Sequence, residues 1–335
     1  MDFDRRRFLK YSVIGLGIGF LATAITKSSS VATFILKKIY AKPSRNTNLL
    51  TPNDNFYTVS YTSIPGMDIN SWSLSVAGFV GKGLNLRYSD ILKRPYIEKA
   101  VTLECIENEI GGDKMSNALW RGIPLSSLLR EAEAEDRVYK VVFKGADGYS
   151  DSITYYYAMN NDVMLAYKMN GMDLPMEHGY PLRAIVPGIY GMKNVKWLRE
   201  IELTDNNYLG YWQTRGWSDN AHVNIQSRID DPGYFQTIRD NNYTIKGIAF
   251  AGDEGISKVE VSTDGGRSWN EALIEETISQ YAWIKWRYIW NIPKSGEYSM
   301  VVRATDMKGR LQTAEESNSY PNGTTGLHTI FVDVV

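Results

Sequence analysis

Val101-Thr-Leu-Glu-Cys-Ile-Glu-Asn108 holds the only cysteine in the 335-residue chain. A lone cysteine closes no intramolecular disulfide and builds no multi-cysteine zinc or iron–sulfur site. It can still act as a nucleophile, or supply one thiolate to a metal held mainly by something else. The commoner fate of a free cysteine is that of a small apolar core residue. Its neighbours therefore decide its role. Trp120-Arg-Gly-Ile-Pro-Leu-Ser-Ser-Leu-Leu129 follows closely. Further on come Val163-Met-Leu-Ala-Tyr-Lys-Met-Asn-Gly-Met-Asp-Leu-Pro175 and His178-Gly-Tyr-Pro-Leu-Arg-Ala-Ile-Val-Pro-Gly-Ile-Tyr-Gly-Met-Lys-Asn-Val-Lys-Trp197.

The length suits two domains, each with its own core. The 22 tyrosines and 9 tryptophans suit a strand-rich fold with broad packing surfaces. A net charge of −1 without a long basic run argues against nucleic acid as a partner. Histidine occurs only at 178, 222 and 328, with no His-x-x-x-His pair, so a metal centre made of protein ligands alone is poorly supported.

The first residues read as an export signal. Arg5-Arg6-Arg7-Phe8-Leu9-Lys10 precedes an uncharged stretch from Tyr11 to Thr26, rich in Gly, Ile, Leu and Ala. A charged segment joined to a short apolar one is the layout of a signal peptide. The Arg-Arg-x-Phe-Leu-Lys order resembles a twin-arginine signal, a route that carries folded proteins already loaded with cofactor. Cleavage at Ala22-Thr23-Ala24 or after Ala41, or retention as an anchor, are the alternatives for residues 1–42. The expected location is periplasmic or at the cell surface.

Residues 43–55, rich in Pro and Asn, read as a linker. From about 56 to 205 strands and short helices mix without βαβ repetition, an α+β layout. Ser89 to Arg94 and Leu125 to Glu133 are the expected helices, the first with Ser89 as N-cap. Residues 206–240 carry few periodic signals, so 211–240 reads as a crossover between domains 43–210 and 241–335 that also covers the site. From Tyr243 onward strands alternate with turns such as Asp264-Gly-Gly, which suggests an immunoglobulin-like β-sandwich.

Together the quoted stretches closely resemble the sulfite oxidase family of molybdopterin enzymes, from about residue 50 to the C-terminus. The second half, with Val-Ser-Thr-Asp-Gly-Gly-Arg-Ser-Trp269 and Arg303-Ala-Thr-Asp-Met-Lys-Gly, resembles that family's C-terminal, often dimerising, domain. The resemblance implies a sulfite-oxidase-type molybdopterin-binding domain and a molybdenum–molybdopterin cofactor with Cys105 as metal ligand and catalytic residue. A pterin dithiolene is a soft, sulfur-rich donor that one thiolate completes, so a single cysteine suffices. Cofactor contacts carried over from the family fall on Asn55, Tyr57, Thr58, Asp147, His178, Arg183, Asn194, Val195 and Lys196. Arg183 offers a planar fork for phosphate or pterin oxygen and Lys196 a mobile point charge.

The resemblance also has departures. Sulfite oxidases hold their dianion with arginines beside the metal. One such position is Ile110 here, and another falls in Val59-Ser60-Tyr61. The tyrosine expected after the Trp-Gln-Arg-Arg stretch falls at Trp217, following Trp212-Gln-Thr-Arg215. Ile110, Tyr61, Arg215 and Trp217 are thus the expected substrate pocket. Loss of cations beside Glu104, Glu107 and Glu109 disfavours a dianion. The implied activity is oxygen-atom transfer on a less charged, sulfur-containing substrate. Arg215 and Arg228 could restore positive charge, which leaves sulfite as an alternative. Reduction of a sulfoxide of the methionine-sulfoxide type is another, and a non-catalytic cell-surface binding protein on the same fold is the non-enzyme one. No Cys-x-x-Cys-His motif occurs, so haem and iron–sulfur are not expected in this chain. Electrons would pass to or from a cytochrome or a membrane haem subunit, and a homodimer would form through the second domain.

Overall fold

The computed structural model describes residues 42–45, 47–275 and 277–335. The arginine-rich segment read as an export signal lies outside the described residues. Among the described residues no helix is long and apolar enough to cross a membrane.

Alternation builds the first sheet. In β1 (Ser73–Gly78) and β2 (Leu84–Arg87) every second side chain, Leu74, Val76, Leu84 and Leu86, turns inward. The chain then enters α1 (Tyr88–Leu92). Ser89 does not cap this helix, contrary to the sequence expectation. The Asp90 carboxylate accepts the Arg87 backbone N–H at 3.0 Å, so the N-cap is Arg87, two residues earlier, and Ser89 falls within the first turn.

Next come β3 (Ile97–Glu104), β4 (Met115–Pro124), α2 (Leu125–Glu131), β5 (Lys140–Gly145), β6 (Ser150–Thr154) and α3 (Tyr155–Ala158). The domain is completed by β7 (Met164–Met169), β8 (Met172–Asp173), β9 (Arg183–Ile185) and β10 (Leu198–Thr204). One sheet runs β2-β1-β10-β5-β6, with β1 and β10 parallel. The other runs β3-β4-β7-β8, with β9 also paired to β7. Trp120 is fully buried between Phe56, Val101, Leu103 and Ile185, and its indole N–H donates to the Val101 carbonyl at 3.1 Å. That bond satisfies the one polar atom of a large apolar side chain.

The second domain is a two-sheet sandwich. Its strands are β11 (Gln226–Asp231), β12 (Thr237–Ile238), β13 (Asn242–Phe250), β14 (Ile256–Ser262) and β15 (Asn270–Glu271). They continue with β16 (Leu273–Ile274), β17 (Ile284–Asn291), β18 (Gly296–Asp306) and β19 (Thr329–Val334). The sheets run β11-β13-β17-β16 and β12-β19-β18-β14-β15. Ile245, Val259, Trp286, Val302 and Val332 fill the space between them. Within 211–240, the stretch read as a crossover, β11 and β12 are therefore sandwich strands. β11 escapes periodic reading because its polar Arg228 and Asp230 are buried against each other, so no apolar alternation marks it.

Both domains meet closely. The Trp283 backbone N–H donates to the Thr102 hydroxyl at 2.8 Å, and the Thr102 N–H donates to the Tyr281 carbonyl at 2.9 Å. Cys105 follows directly on β3, and Arg183 opens β9.

Candidate active site

A cavity with about 940 Å³ of open space, its mouth included, lies above these strand ends. Cys105 forms part of its wall. The cysteine starts a loop whose ends are tied, since the Cys105 N–H donates to the Lys114 carbonyl at 2.9 Å. Asn108 stiffens the loop from inside. Its side-chain amide donates to Glu104 Oε1 at 2.9 Å while its carbonyl oxygen accepts the Lys114 N–H at 3.0 Å. Burial pushes the thiol up to about 11, opposed by the Glu107 backbone N–H. Cys105 by itself is thus a protonated thiol near neutrality and a poor nucleophile; a bound metal ion is the agent that would deprotonate it.

The opposite wall is cationic. Arg183 is 5% exposed, donates Nη1 to the His178 carbonyl at 3.0 Å and Nη2 to the Asn194 carbonyl at 3.1 Å, and stacks near Trp120. Its Nε has no partner, and among the described residues no carboxylate pairs with it. Burial lowers its pKa to about 10. Lys196 donates to the Ser60 hydroxyl at 2.7 Å and to the Glu177 carbonyl at 3.0 Å. Burial, then the charge of Arg183, lowers Lys196 to about 7. His178 Nε2 donates to the Asn53 carbonyl at 3.0 Å, which leaves Nδ1 as an acceptor. Burial lowers the His178 pKa, keeping the ring neutral.

A buried arginine without a counter-ion is costly unless an anion completes it, and the half-buried Lys196 beside it adds to the demand. An anionic group carrying phosphate and soft sulfur donors meets what this cavity offers: an orphaned guanidinium nitrogen, a lysine and one thiol. Two glycines clear the approach. A Cβ on Gly179 would lie 3.1 Å from the Cβ atoms of Arg183 and Lys196, and one on Gly191 would lie 2.6 Å from the Tyr57 hydroxyl. The residues present fit a molybdenum–pterin group.

The remaining wall is largely aromatic and apolar, with Val59, Tyr61, Tyr149, Met192, Trp212 and Trp217, and carries the carboxylates of Glu107 and Asp147. Tyr61 lies 4.4 Å from Tyr211, centre to centre, and Trp212 lies 6.4 Å from Trp217. A buried ion cluster stands behind this wall. Lys193 Nζ bonds Asp151 at 2.9 Å and Asp219 at 3.1 Å, and Lys140 bonds Asp219 at 2.7 Å. The Tyr149 hydroxyl lies 3.1 Å from Asp151 and 2.8 Å from the Met192 carbonyl, which fixes the ring.

Of the residues expected from the sequence, Cys105, Tyr57, Thr58, Tyr61, Asp147, His178, Arg183, Asn194, Val195, Lys196 and Trp217 line this one cavity. Asn55 does not: it ends an exposed turn, and the carbonyl of Asn53 serves the site instead, through His178. Ile110 also lies away from the wall, with its Cδ1 against Gly326 of the second domain. Arg215 turns outward, stacks 3.5 Å from the Tyr211 ring centre and donates to the Tyr211 carbonyl. Arg228 is engaged by Asp230. Neither arginine restores charge to the cavity.

Tyr149 was missed in the sequence, although strand periodicity places it on one face with Asp151. Lys193 and Asp219 were missed because no local pattern joins positions 26 residues apart.

Family comparison agrees with this geometry. An oxidoreductase molybdopterin binding domain matches residues 61–212, and a Mo-co oxidoreductase dimerisation domain matches residues 218–325. Mouse mitochondrial sulfite oxidase is 32% identical over 313 residues, covering 78% of this chain and 57% of that protein. The NADPH nitrate reductase of Aspergillus niger is 32% identical over 285 residues, covering 69% of this chain and 33% of that protein. The chain thus spans little more than half the length of the mammalian sulfite oxidases it matches. The fold is also that of the sulfane dehydrogenase SoxCD from Paracoccus pantotrophus, with a TM-score of 0.77 at 24% identity over 86% of this chain and 82% of that one. With both domains matched in order and a thiol sharing one cavity with a buried, unpaired arginine, this chain belongs to the sulfite oxidase family of molybdopterin-dependent oxidoreductases.

Proposed function

We propose that the chain is an exported molybdenum oxidoreductase that moves an oxygen atom to or from a neutral or weakly charged sulfur compound. The observation that carries this reading is the division of the cavity. Its cations, Arg183 and Lys196, stand with His178, and the rest of its wall is largely aromatic and apolar. When bound, the molybdenum–pterin group supplies two-electron oxygen-atom transfer, which protein side chains cannot. Cys105 would hold the metal. Arg183 and Lys196 would take the anionic part of the group, Arg183 through its free Nε, and His178 Nδ1 would accept a ring N–H. Tyr61, Trp212 and Trp217 would seat an apolar substrate and keep water from the reacting atoms.

The names of the relatives favour a second reading, sulfite itself. Against it, a dianion would meet no cation beyond those that the cofactor occupies. A sulfoxide of the methionine-sulfoxide type fits the aromatic wall equally well, with the reaction run in reverse. An uncompensated buried arginine beside a thiol is a poor feature for a protein that only binds at a cell surface. Electrons would be exchanged with a separate haem protein, a cytochrome or a membrane subunit. The second domain, read as an immunoglobulin-like module, would hold a homodimer together. The test is a substrate screen of the loaded protein with an artificial electron carrier, covering sulfite, sulfoxides, nitrate and organic sulfur compounds. Neutral sulfur substrates are expected to turn over fastest; sulfite turnover as fast as any of them would overturn the substrate assignment.

A further inference from the structure

The loop that carries Cys105 rests its far end on the other domain. On β11, Arg228 is 6% exposed. Its Nη1 donates to the Gly112 carbonyl at 2.5 Å, and its Nε donates to Asp230 Oδ1 at 2.5 Å. The segment before the first domain adds Arg45, whose Nη1 donates to the Gly111 carbonyl at 3.0 Å. Thr47 then closes the set by donating to Asp230 Oδ2 at 2.6 Å. From the end of the sandwich comes His328, whose Nδ1 accepts the Ile229 N–H at 3.0 Å. The imidazole abuts Gly111, where an added Cβ would sit 2.2 Å from His328 Cδ2. Gly111 has φ +67°, so both its backbone conformation and its neighbour require glycine.

A short path joins these contacts to the thiol. The Gly112 N–H donates to the Glu109 carbonyl, the Asn108 N–H donates to the Cys105 carbonyl, and the Asn108 side chain spans the loop. Residues 105–114 include no regular strand or helix to hold them. Their outer end is held by groups from the sandwich and from the segment before the first domain.

We propose that Arg228, Arg45 and His328 are positioning residues for Cys105. The sandwich domain clamps Gly111 and Gly112 and so sets the direction in which the thiolate meets the metal. The second domain then acts on the metal's ligand sphere as well as on assembly. This inference rests on the reading of Cys105 as the molybdenum ligand. Outer-shell groups that orient a ligand typically change metal affinity by about 10- to 100-fold when removed.

The test uses the loaded, full-length protein and two readouts: molybdenum per chain after gel filtration, and the Mo(V) electron paramagnetic resonance spectrum of partly reduced protein. Arg228→Lys keeps the charge but cannot serve Gly112 and Asp230 with a fork. It is expected to shift the Mo(V) g-values and weaken molybdenum retention about tenfold. Arg45→Met should shift the spectrum in the same direction by less. Arg303→Met, which breaks an ion pair with Glu260 inside the sandwich, should leave both readouts at wild-type values. A change that only weakened the fold would lower yield without moving g-values. If Arg228→Lys does not fold, Arg45→Met decides by the same readouts, because the Arg45 side chain is 31% exposed and part of no core. Wild-type spectra and molybdenum content in both variants would overturn the clamp alone. A wild-type chain that takes up no molybdenum would overturn the reading of Cys105 together with it.

Discussion

At the scale of single residues, burial works against charge throughout the site and brings Lys196 close to neutrality. Arg183 is a buried cation with a free donor. Arg183→Met should lower cofactor retention about 10- to 100-fold, from a charge-assisted hydrogen bond worth roughly 1.5–3 kcal/mol, with release of pterin on dilution as the measurement. Lys196 gives a pH dependence. Its folded-state pKa of about 7 lies below the ordinary lysine value of roughly 10.4. Between these values the unfolded chain carries the extra proton, so the cofactor-free protein gains stability as pH rises through that window. Lys196→Met should flatten that rise in thermal unfolding between pH 7 and pH 10, while an unchanged slope would assign it elsewhere. Cys105, Arg183, His178 and Lys196 were legible because each sits inside an ordered motif. Asn55, carried over from the family resemblance, and Ile110, placed by its spacing from Cys105, fall outside the cavity wall, and the contacts of Tyr149 with Asp151 and Met192 appear only in three dimensions.

At the scale of elements, the site depends on where β3 ends and on what supports the loop beyond it. Trp120 on β4 lies beside β3 in the same sheet and bonds the Val101 carbonyl. Trp120→Ala should cost about 3–5 kcal/mol of stability, measured by denaturant unfolding, by opening a cavity on the sheet face where Phe56 and Arg183 pack. His328, beside β19, carries a second pH signature. Burial first, then Arg228 and Arg45, holds its pKa at about 3, below the usual value near 6.5. As pH falls through that interval the unfolded chain takes the proton first, so stability is lost from about pH 6.5 downward. His328→Gln, whose amide oxygen can still accept the Ile229 N–H, should reduce the acid slope of unfolding free energy between pH 6.5 and 4. The strands of the sandwich were legible from alternation, and Asp264-Gly-Gly marked its turn with Gly265 and Gly266 both at positive φ. Strand β11 was not, since its buried Arg228 and Asp230 hide an inward face behind polar letters. The helix cap at Asp90 was missed for a related reason: a serine at the boundary draws attention from the acid one position later.

Across the whole molecule, the first domain supplies the cavity, while the second supports the cysteine loop and part of the aromatic wall. The Ser218 N–H donates to the Pro321 carbonyl, and Trp217 packs on Tyr320 at 5.3 Å, so the segment between the domains is pinned to the second domain at these two residues. These contacts join the aromatic wall, the thiol loop and the second domain into one packed unit. The α+β and sandwich halves could be read from the sequence in order, but their mutual dependence could not, because it runs through contacts such as Arg228 to Gly112, 116 residues apart. Everything in this account turns on Cys105 as the protein's ligand to molybdenum. X-ray absorption at the molybdenum edge tests that most directly, comparing the loaded wild type with loaded Cys105→Ser. The account predicts one fewer sulfur neighbour in the variant, replaced by oxygen, with turnover lost and the fold intact. An unchanged sulfur count, or an active loaded variant, would contradict it.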